Sequence, residues 1–397
     1  MTLANRRWWI AGGRVVLPDR VAEADVAIRD GRIETVAPPG TADASGDEAI
    51  RADEAWVLPG LVDLHCDAIE KEIEPRPNAL FPMEMAFLQF ERKLALHGIT
   101  TMFHSLSLGV GLSLRGENVT AEAIRLIARM SRERAMIRHR VHLRYEISHL
   151  SGLPLAERFV RDGLIHYLSY MDHAPGIGQY KRPGAFQNYV MKNQGVNAQE
   201  VERIVEELEQ RRARIDRRAL HALAEEARGT GIALASHDDD SREQVDRSAA
   251  LGATVIEFPL NLETAVYARE RGLHVCVGAP NIVRGGSHDG NLSALDAIRA
   301  GAADIVCSDY HPASMLQAIF ALEEHGVPLA QAAAMATLQP ARALGLDGEL
   351  GSLEPGKRAD LLIVRKRSGC PIAVCTVVGG AVVQQTRDYE VGGDFGR

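Results

Sequence analysis

The pattern of apolar and polar positions separates the chain into two ends with β character and a centre in which strands and helices alternate. The β-branched runs of the two ends occupy residues 8–16, 24–29, 32–36, 359–364, 372–378 and 381–384. Asp30-Gly31 and Gly379-Gly380 separate neighbouring runs, and a two-residue hairpin turn needs the positive φ that such residues tolerate. Neither end is long enough to bury a core alone, so we predict that residues 1–56 and 347–397 form one small β-sandwich-like domain.

The central region, residues 57–346, repeats an apolar run followed by a segment of helical spacing. Its eight β-rich runs occupy residues 57–65, 100–106, 141–148, 164–171, 232–236, 254–258, 273–279 and 303–308. Helices are predicted over residues 84–97, 119–138, 198–228, 240–251, 313–325 and 328–344, with Asn197 and Glu200 spaced as a capping box. This alternation is typical of an α/β fold, the (β/α)₈ TIM barrel. A doubly wound sheet is the competing fold, but no G-x-G-x-x-G follows the first strand.

Composition and charge exclude several classes of protein. The 397 residues include 45 Lys and Arg against 53 Asp and Glu, a formal net charge of −8, which excludes a nucleic-acid binder with a broad basic face. No apolar run approaches the roughly 18 residues of a membrane span, and we find no secretion signal. The five cysteines form no C-x-x-C pair, which argues against a disulfide framework or a thiolate zinc cluster. We therefore expect a cytoplasmic protein without a membrane or nucleic-acid partner.

Imidazole and carboxylate side chains stand at the C-terminal ends of the predicted strands, where the active sites of TIM barrels form. They are His65 and Asp67 after strand one, Glu146 after strand three, His173 after strand four, His237 after strand five and Asp309 after strand eight. Such groups without thiolates suit a divalent metal, Zn²⁺ or else Mn²⁺ or Fe²⁺, and six of them can hold one or two ions. Bound metal lowers the pKa of water, and Asp309 can take the proton during attack. The pattern predicts metal-assisted hydrolysis.

Basic residues gather in the loops at the same end of the barrel. Lys71 and Arg76 follow strand one, Arg284 and His288 lie in a glycine-rich segment after strand seven, and Lys181 lies in a long loop over residues 174–195. Guanidinium and backbone amide groups together suit a phosphate. We therefore expect a small anionic, phosphorylated substrate, with the long loop as an active-site cover.

Other polar residues have weaker cases for a role in the chemistry. For Glu257, His104, His149 and His311, the support of a metal ligand or plain hydrogen bonding is placed ahead of metal ligation. Cys66 lies between His65 and Asp67, so its side chain should point the opposite way along the strand and pack. Residues 211–218 (RRARIDRR) are predicted to form a solvated helix face.

Motifs along the barrel resemble the amidohydrolase superfamily. Residues 58–65 (LPGLVDLH) and 356–361 (GKRADL) carry the general resemblance. The chain is similar in particular to the diphosphatases of the carbon–phosphorus lyase pathway, through HCD, EKEIEPRP, HLRYEISH, SYMDHAPG, ALASHDD, GAPNIVRGGSHDGN and CSDYHPASMLQAIF. The resemblance implies cleavage of ribose 1-methylphosphonate 5-triphosphate to the 5-phosphate and pyrophosphate. It also implies metal ligation by His65, Asp67, Glu146, His173 and His237, an acid/base role for Asp309, and a homo-oligomer.

The chain departs from that family at positions outside the expected metal set. Ala68 replaces an Asn, Gly178 stands where the family has an Arg, Leu260 and Asn261 replace two threonines, and Asp289 replaces a small Ser. A second hypothesis is therefore a paralogue that acts on an amide, a lactam or another phosphoester. A non-catalytic binding barrel is a third, but such a protein should lack one or more of the six residues, and all six are present.

Overall fold

The strands of the protein form two separate sheets, one built from the centre of the chain and one from its ends. The computed structural model describes residues 7–76, 79–109, 116–133, 135–173, 184, 186–187, 191, 197–287 and 290–386. Numbered in chain order, the described strands are β1 Trp8–Val16, β2 Val21–Arg29, β3 Arg32–Ala37, β4 Glu48–Arg51, β5 Trp56–Pro59, β6 Leu61–Cys66, β7 Ile99–Leu108, β8 Arg138–Glu146, β9 Tyr167–Met171, β10 Ala233–His237, β11 Val255–Glu257, β12 His274–Gly278, β13 Ile305–Cys307, β14 Leu361–Arg367, β15 Cys370–Val378 and β16 Ala381–Gln385.

The central sheet is the predicted TIM barrel. Strands β6 to β13 are hydrogen-bonded in sequence order, and every neighbouring pair is parallel. A bridge between Cys66 and Asp309 brings the last strand back to the first. Each of the eight predicted runs supplies one barrel strand, so the predicted fold is confirmed.

The first predicted run is divided between the two sheets at Gly60. Residues before it, Trp56–Pro59, pair with β1 and β14 of the terminal sheet, and residues after it begin the barrel. A Cβ atom at Gly60 would overlap the side chain of Thr100 on the neighbouring barrel strand. The chain changes sheets where only glycine permits this close approach.

The first described helix contacts the terminal sheet, the later ones accompany the barrel strands, and two of the predicted helices are each divided in two. The described helices are α1 Thr41–Ser45, α2 Ile69–Ile73, α3 Met83–Leu96, α4 Glu117–Arg132, α5 Leu153–Arg161, α6 Ala198–Arg212, α7 Arg217–Gly229, α8 Arg242–Ala250, α9 Leu262–Glu270, α10 Ala279–Arg284, α11 Ala294–Arg299, α12 Ser314–Glu324, α13 Leu329–Met335 and α14 Leu338–Ala343. Asn197 and Glu200 form the predicted capping box. The helix predicted over 198–228 breaks before α7, because Asp216 accepts hydrogen bonds from the first free amides of α7. The helix predicted over 328–344 likewise consists of α13 and α14.

The terminal sheet combines strands from both ends of the chain. Its strand order is β16, β15, β14, β5, β1, β2, β3, with β4 paired to β1. Its core contains Trp8, Ile10 and Val26 from the N-terminal part and Leu361 and Ile363 from the C-terminal part. The two ends therefore share one apolar core, as their individual lengths require.

Two of the hairpin turns of this sheet contact each other. Asp30 and Gly31 have φ values of 52° and 76°, and Gly379 and Gly380 have φ values of 55° and 77°, so both predicted turns have positive φ at both positions. A Cβ atom on Gly380 would lie 2.8 Å from Gly31 Cα. The turns of the two chain ends thus pack backbone against backbone. A helix long and apolar enough to cross a membrane does not occur in the described part of the chain.

Candidate active site

The structure brings the six predicted site residues to one mouth of the barrel. Strand β6 contains His65, strands β8 and β10 end at Glu146 and His237, and the other three follow strand ends: Asp67 after β6, His173 after β9 and Asp309 after β13. Backbone hydrogen bonds fix strand one against strand eight, because Asp309 N donates to His65 O and Asp67 N donates to Asp309 O, both at 2.9 Å. These bonds therefore hold Asp309 at a fixed distance from His65 and Asp67, although the residues lie at opposite ends of the barrel sequence.

Four of the acidic and imidazole groups lie in direct contact on one side of the mouth. His173 Nδ1 lies 3.1 Å from Glu146 Oε2, and His173 Nε2 lies 3.7 Å from Asp238 Oδ2. His237 Nδ1 lies 3.2 Å from the same Asp238 oxygen. Burial opposes the charge of His173, but its contacts with Asp238 and Glu146 outweigh burial and raise its pKa to about 9. Burial lowers the pKa of His237.

Three residues at this mouth adopt left-handed backbone conformations that non-glycine residues rarely take. Asp238, Phe258 and Asp309 have φ values of 61°, 53° and 59°, and each directly follows or lies close beyond a barrel strand. The N–H of each residue donates to a neighbouring barrel strand, at 2.9 to 3.0 Å, and these bonds hold the conformation in place. Backbone strain of this kind concentrates at functional sites, which agrees with the position of the six residues.

A second buried group lies beneath the mouth and centres on His65. Glu257 Oε1 lies 2.9 Å from His65 Nδ1, and Glu257 Oε2 accepts a hydrogen bond of 2.7 Å from Ser169 Oγ. His142 Nε2 contacts the same Ser169 hydroxyl, and Nδ1 of His142 lies 2.9 Å from Ser105 Oγ. Burial opposes the charge of Glu257, but the neighbouring His65 and His142 hold its pKa well below the usual range.

Arg144 places a permanent positive charge between the two sides of the mouth. Its Nη2 lies 3.2 Å from His237 Nε2, and its Nη1 lies 3.7 Å from Asp67 Oδ2. The residue is 7% exposed, and its Nε has no hydrogen-bond partner among the described residues. A buried guanidinium with an unused donor suits an anionic group in the site.

The sixth predicted residue, Asp309, is a carboxyl group whose surroundings raise its pKa. Burial raises its pKa to about 6, with His65 acting in the opposite direction and Asp67 adding to the increase. A carboxyl group that titrates near neutral pH can both accept and return a proton under physiological conditions.

The structure describes three of the five predicted anion-binding residues, and they lie in different surroundings. Lys71 and Arg76 are exposed, Lys71 on α2 and Arg76 in the loop that follows. Arg284 ends α10, and its Nη1 donates to the hydroxyl of Tyr310, the residue after Asp309, at 3.4 Å. The predicted contacts His288 and Lys181, most of the loop 174–195, and the changed positions Gly178 and Asp289 lie outside the described residues.

Comparison with known proteins now identifies the family. Residues 56–383 match the Amidohydrolase family. The chain belongs to this family. This amidohydrolase is 34% identical over 361 residues to the alpha-D-ribose 1-methylphosphonate 5-triphosphate diphosphatase of Escherichia coli K12, and the match covers 89% of this chain and 94% of the relative. The resemblance drawn from the sequence motifs is confirmed.

Solved structures of other proteins share the fold of this amidohydrolase. Dihydropyrimidinase from Brevibacillus agri NCHU1002 matches with a TM-score of 0.64 at 16% identity, over 96% of this chain and 95% of that one. An Xaa-Pro dipeptidase matches with a TM-score of 0.65 at 15% identity, over 95% of this chain and 99% of that one. At these identities the matches show a common fold and nothing about the substrate.

The donor atoms of the amidohydrolase fit a divalent metal, which this family generally binds. The nearest potential ligand atoms of His173, His237 and Asp238 all lie within 4.8 Å of one another. His237 Nδ1 and Asp238 Oδ2 are buried and lie 3.2 Å apart, and neither makes a hydrogen bond of regular geometry within the described part of the chain. Because buried polar atoms are almost always paired, a cation at this position would satisfy both. The protein is a metal-dependent hydrolase.

Sequence reasoning passed over three residues of this site. Asp238 directly follows His237 and begins a run of three aspartates, a signal that was present at the end of strand five. His142 lies four residues before Glu146 on β8, so the two-residue period of a strand places both on the barrel interior. Arg144 lies between them on the same face. Glu257, which the sequence predicts to hydrogen-bond rather than to ligate a metal, does hydrogen-bond His65.

Proposed function

We propose that this amidohydrolase is a diphosphatase that hydrolyses a ribosyl 5-triphosphate, ribose 1-methylphosphonate 5-triphosphate, to the 5-phosphate and pyrophosphate. The observation that carries the proposal is the match of nearly the whole chain to the Escherichia coli diphosphatase, at 34% identity. The candidate site supports it, since metal-type donors, a carboxyl group with a pKa of about 6 and a buried guanidinium meet at one mouth.

His65, Asp67, Glu146, His173 and His237 are the proposed ligands of one or two divalent ions, with Zn²⁺ as the proposed metal and Asp238 as an additional ligand. When bound, the metal lowers the pKa of water and offsets the negative charge of the phosphates. Asp309 takes a proton from the attacking water and returns it to the departing pyrophosphate. Arg144 donates to a phosphate oxygen and so holds the substrate against this carboxylate.

A paralogue with a different substrate is the second candidate, raised by the positions that differ from the resembled family, Asn261 among them. In this chain Asn261 is the N-cap of α9, because its Oδ1 accepts from Thr264 N at 2.9 Å and its Nδ2 donates to Asp240 O at 2.9 Å. The side chain that replaces a threonine of the resembled family is therefore occupied within the protein. An amide, a lactam or another phosphoester is the alternative substrate class.

The deciding experiment is pyrophosphate release from the ribosyl 5-triphosphate by the purified, metal-reconstituted protein. We expect release that stops with a chelator and returns with added Zn²⁺. A protein that holds metal and releases no pyrophosphate would refute the diphosphatase proposal, and amides and lactams would be tested next.

Asp309→Asn tests the proposed acid/base. We expect this variant to lose turnover by about two orders of magnitude or more while it keeps its metal content and thermal stability. Asp25→Asn is the matched control, because Asp25 is a buried carboxylate of the terminal sheet that accepts from Gly12 N at 2.8 Å and Ala42 N at 2.9 Å. Wild-type turnover in folded, metal-loaded Asp309→Asn would contradict the assignment.

Lys71→Ala and Arg284→Ala test the predicted anion contacts. We expect each to raise KM for the triphosphate and to leave KM for neutral substrates unchanged. Equal effects on charged and neutral substrates would show that these residues have a structural role.

A further inference from the structure

A series of buried hydrogen bonds lies beneath the mouth. It begins at the peptide N–H of Cys66 on strand β6 and ends at the side chain of the preceding residue, His65. Its five side chains, each at most 1% exposed, come from five different barrel strands: His65 of β6, Ser105 of β7, His142 of β8, Ser169 of β9 and Glu257 of β11. Because all five side chains are buried, the donors and acceptors of this series of bonds depend on one another.

The direction of the bonds around His142 is fixed by Glu257, whose ionised carboxylate can only accept. Ser169 Oγ gives its one hydrogen to Glu257, so it must accept from His142 Nε2, and His142 carries its hydrogen on that nitrogen. His142 Nδ1 therefore accepts from Ser105 Oγ, at 2.9 Å. Ser105 Oγ in turn accepts from Cys66 N–H, the peptide group that follows His65, at 2.9 Å.

The direction of the last bonds follows from a group that can only accept. Ser169 Oγ donates to Glu257 Oε2 at 2.7 Å, and Glu257 Oε1 lies 2.9 Å from His65 Nδ1. An ionised carboxylate has no hydrogen to give, so His65 carries its hydrogen on Nδ1. The lone pair of His65 is therefore on Nε2, on the other side of the ring from Glu257.

We propose that Glu257 is a positioning residue that fixes the orientation and tautomer of His65, and that Ser169, His142 and Ser105 hold Glu257 in turn. The group His65, His142 and Glu257 has the composition of a metal site. The hydrogen bonds of these residues with one another and with the two serines already use His65 Nδ1, both nitrogens of His142 and both oxygens of Glu257, which leaves His65 Nε2 as the donor atom for an ion. On the other side of the mouth, His237 Nδ1 and Asp238 Oδ2 contact each other at 3.2 Å, but neither makes a hydrogen bond of regular geometry within the described chain. Glu257 thus acts on the ion through His65, and this inference rests on the proposed function only in that His65 binds the metal.

Glu257→Gln tests the proposal, because glutamine has the same shape and can still accept from His65 but carries no charge. A carboxylate behind a ligating histidine raises its basicity, and its loss typically weakens metal binding by about 10- to 100-fold. We expect a fall of that size in Zn²⁺ affinity, measured by chelator competition, and a larger effect on kcat than on KM. Ser169→Ala leaves the Glu257–His65 pair intact and should cause a smaller fall.

Glu91→Gln is the matched control. Glu91 Oε1 lies 2.9 Å from His139 Nε2, in another buried glutamate–histidine pair that joins α3 to β8 away from the six site residues. This variant should lose thermal stability and bind Zn²⁺ with wild-type affinity, which separates a positioning role from a merely structural one.

Two results would overturn the proposal. Wild-type Zn²⁺ affinity in folded Glu257→Gln would show that the carboxylate does not act on the metal site. Loss of one equivalent of zinc from Glu257→Gln at saturating metal would show that Glu257 is itself a ligand. If Glu257→Gln does not fold, Ser169→Ala decides the question by the same measurement. These readouts need no substrate, so absence of pyrophosphate release would refute the proposed diphosphatase and leave this inference intact.

Discussion

Acid should destabilise the barrel through His166, a residue at the N-terminal end of β9 and away from the candidate site. Its side chain is partly buried, and its Nδ1 accepts a hydrogen bond of 3.2 Å from Val141 N. Burial, with a smaller contribution from the positive charge of Arg140, lowers the pKa of His166 from 6.5 to about 4. Protonation would put a second cation beside Arg140 and would remove the acceptor of the Val141 amide.

The direction and size of the effect follow from this difference in pKa. Because the pKa is lower in the folded protein, the unfolded chain binds more protons between pH 6.5 and about 4, and the free energy of unfolding falls as the pH falls through that range. At about 1.4 kcal/mol per pH unit, the interval from 6.5 to about 4 corresponds to a loss of about 3 kcal/mol. The stabilisation that depends on neutral His166 is fully present above pH 6.5 and is lost below about pH 4.

The assay compares denaturant unfolding of wild-type protein and His166→Asn at several pH values. Asparagine can accept from Val141 N but does not titrate, so the difference in unfolding free energy between the two proteins should change by about 3 kcal/mol across the interval. Other titrating groups contribute equally to both proteins and cancel. Arg140→Met should give an intermediate dependence on pH, because it removes the charge that adds to the effect of burial. Parallel curves for wild type and His166→Asn would refute the reasoning.

The remaining predictions concern the contact between the two chain ends and the link between the terminal sheet and the barrel. Gly380→Ala should lower the free energy of unfolding by about 2–5 kcal/mol, because the new Cβ would meet Gly31 in a left-handed turn. Gly369→Ala is its control in unfolding experiments, since Gly369 also has positive φ but nothing lies within 4 Å of its Cβ position, and about 1–2 kcal/mol is expected. Equal losses for both glycines would contradict the packing of the two turns. Asp360→Ala should lower the free energy of unfolding by about 2–4 kcal/mol in the same assay. Asp360 pairs with Arg138 of the barrel and accepts a hydrogen bond from Gly379 N in a turn of the terminal sheet. A loss below about 1 kcal/mol would contradict this link between the barrel and the terminal sheet.

Short-range pattern was sufficient to predict most of the fold. The eight apolar runs predict the barrel strands because a buried parallel strand needs an almost continuous apolar sequence. The turns at Asp30-Gly31 and Gly379-Gly380 were predictable because few residues tolerate positive φ. Ser368-Gly369 forms another such turn, with φ values of 49° and 82°, and the sequence analysis missed it.

The positions of the candidate ligands were also predictable from local sequence. Polar residues that follow apolar strands must lie at one end of a parallel barrel, whatever the details of packing. This rule placed His65, Glu146, His173, His237 and Asp309 at one mouth. Their roles in catalysis stay predictions until the variants are measured.

Tertiary structure alone decided which groups contact one another. The hydrogen bond between His65 and Glu257 joins residues 192 positions apart, and that between Ser169 and Glu257 joins residues 88 apart. The two-residue period of a strand shows which of its side chains point inward, but it does not show which residues of another strand lie opposite them. The position of Arg144 against His237, likewise from different strands, depends on the closure of the barrel. The sequence by itself determined which side chains reach the mouth, because that depends on strand period and polarity, whereas their pairing depends on the three-dimensional register of eight strands.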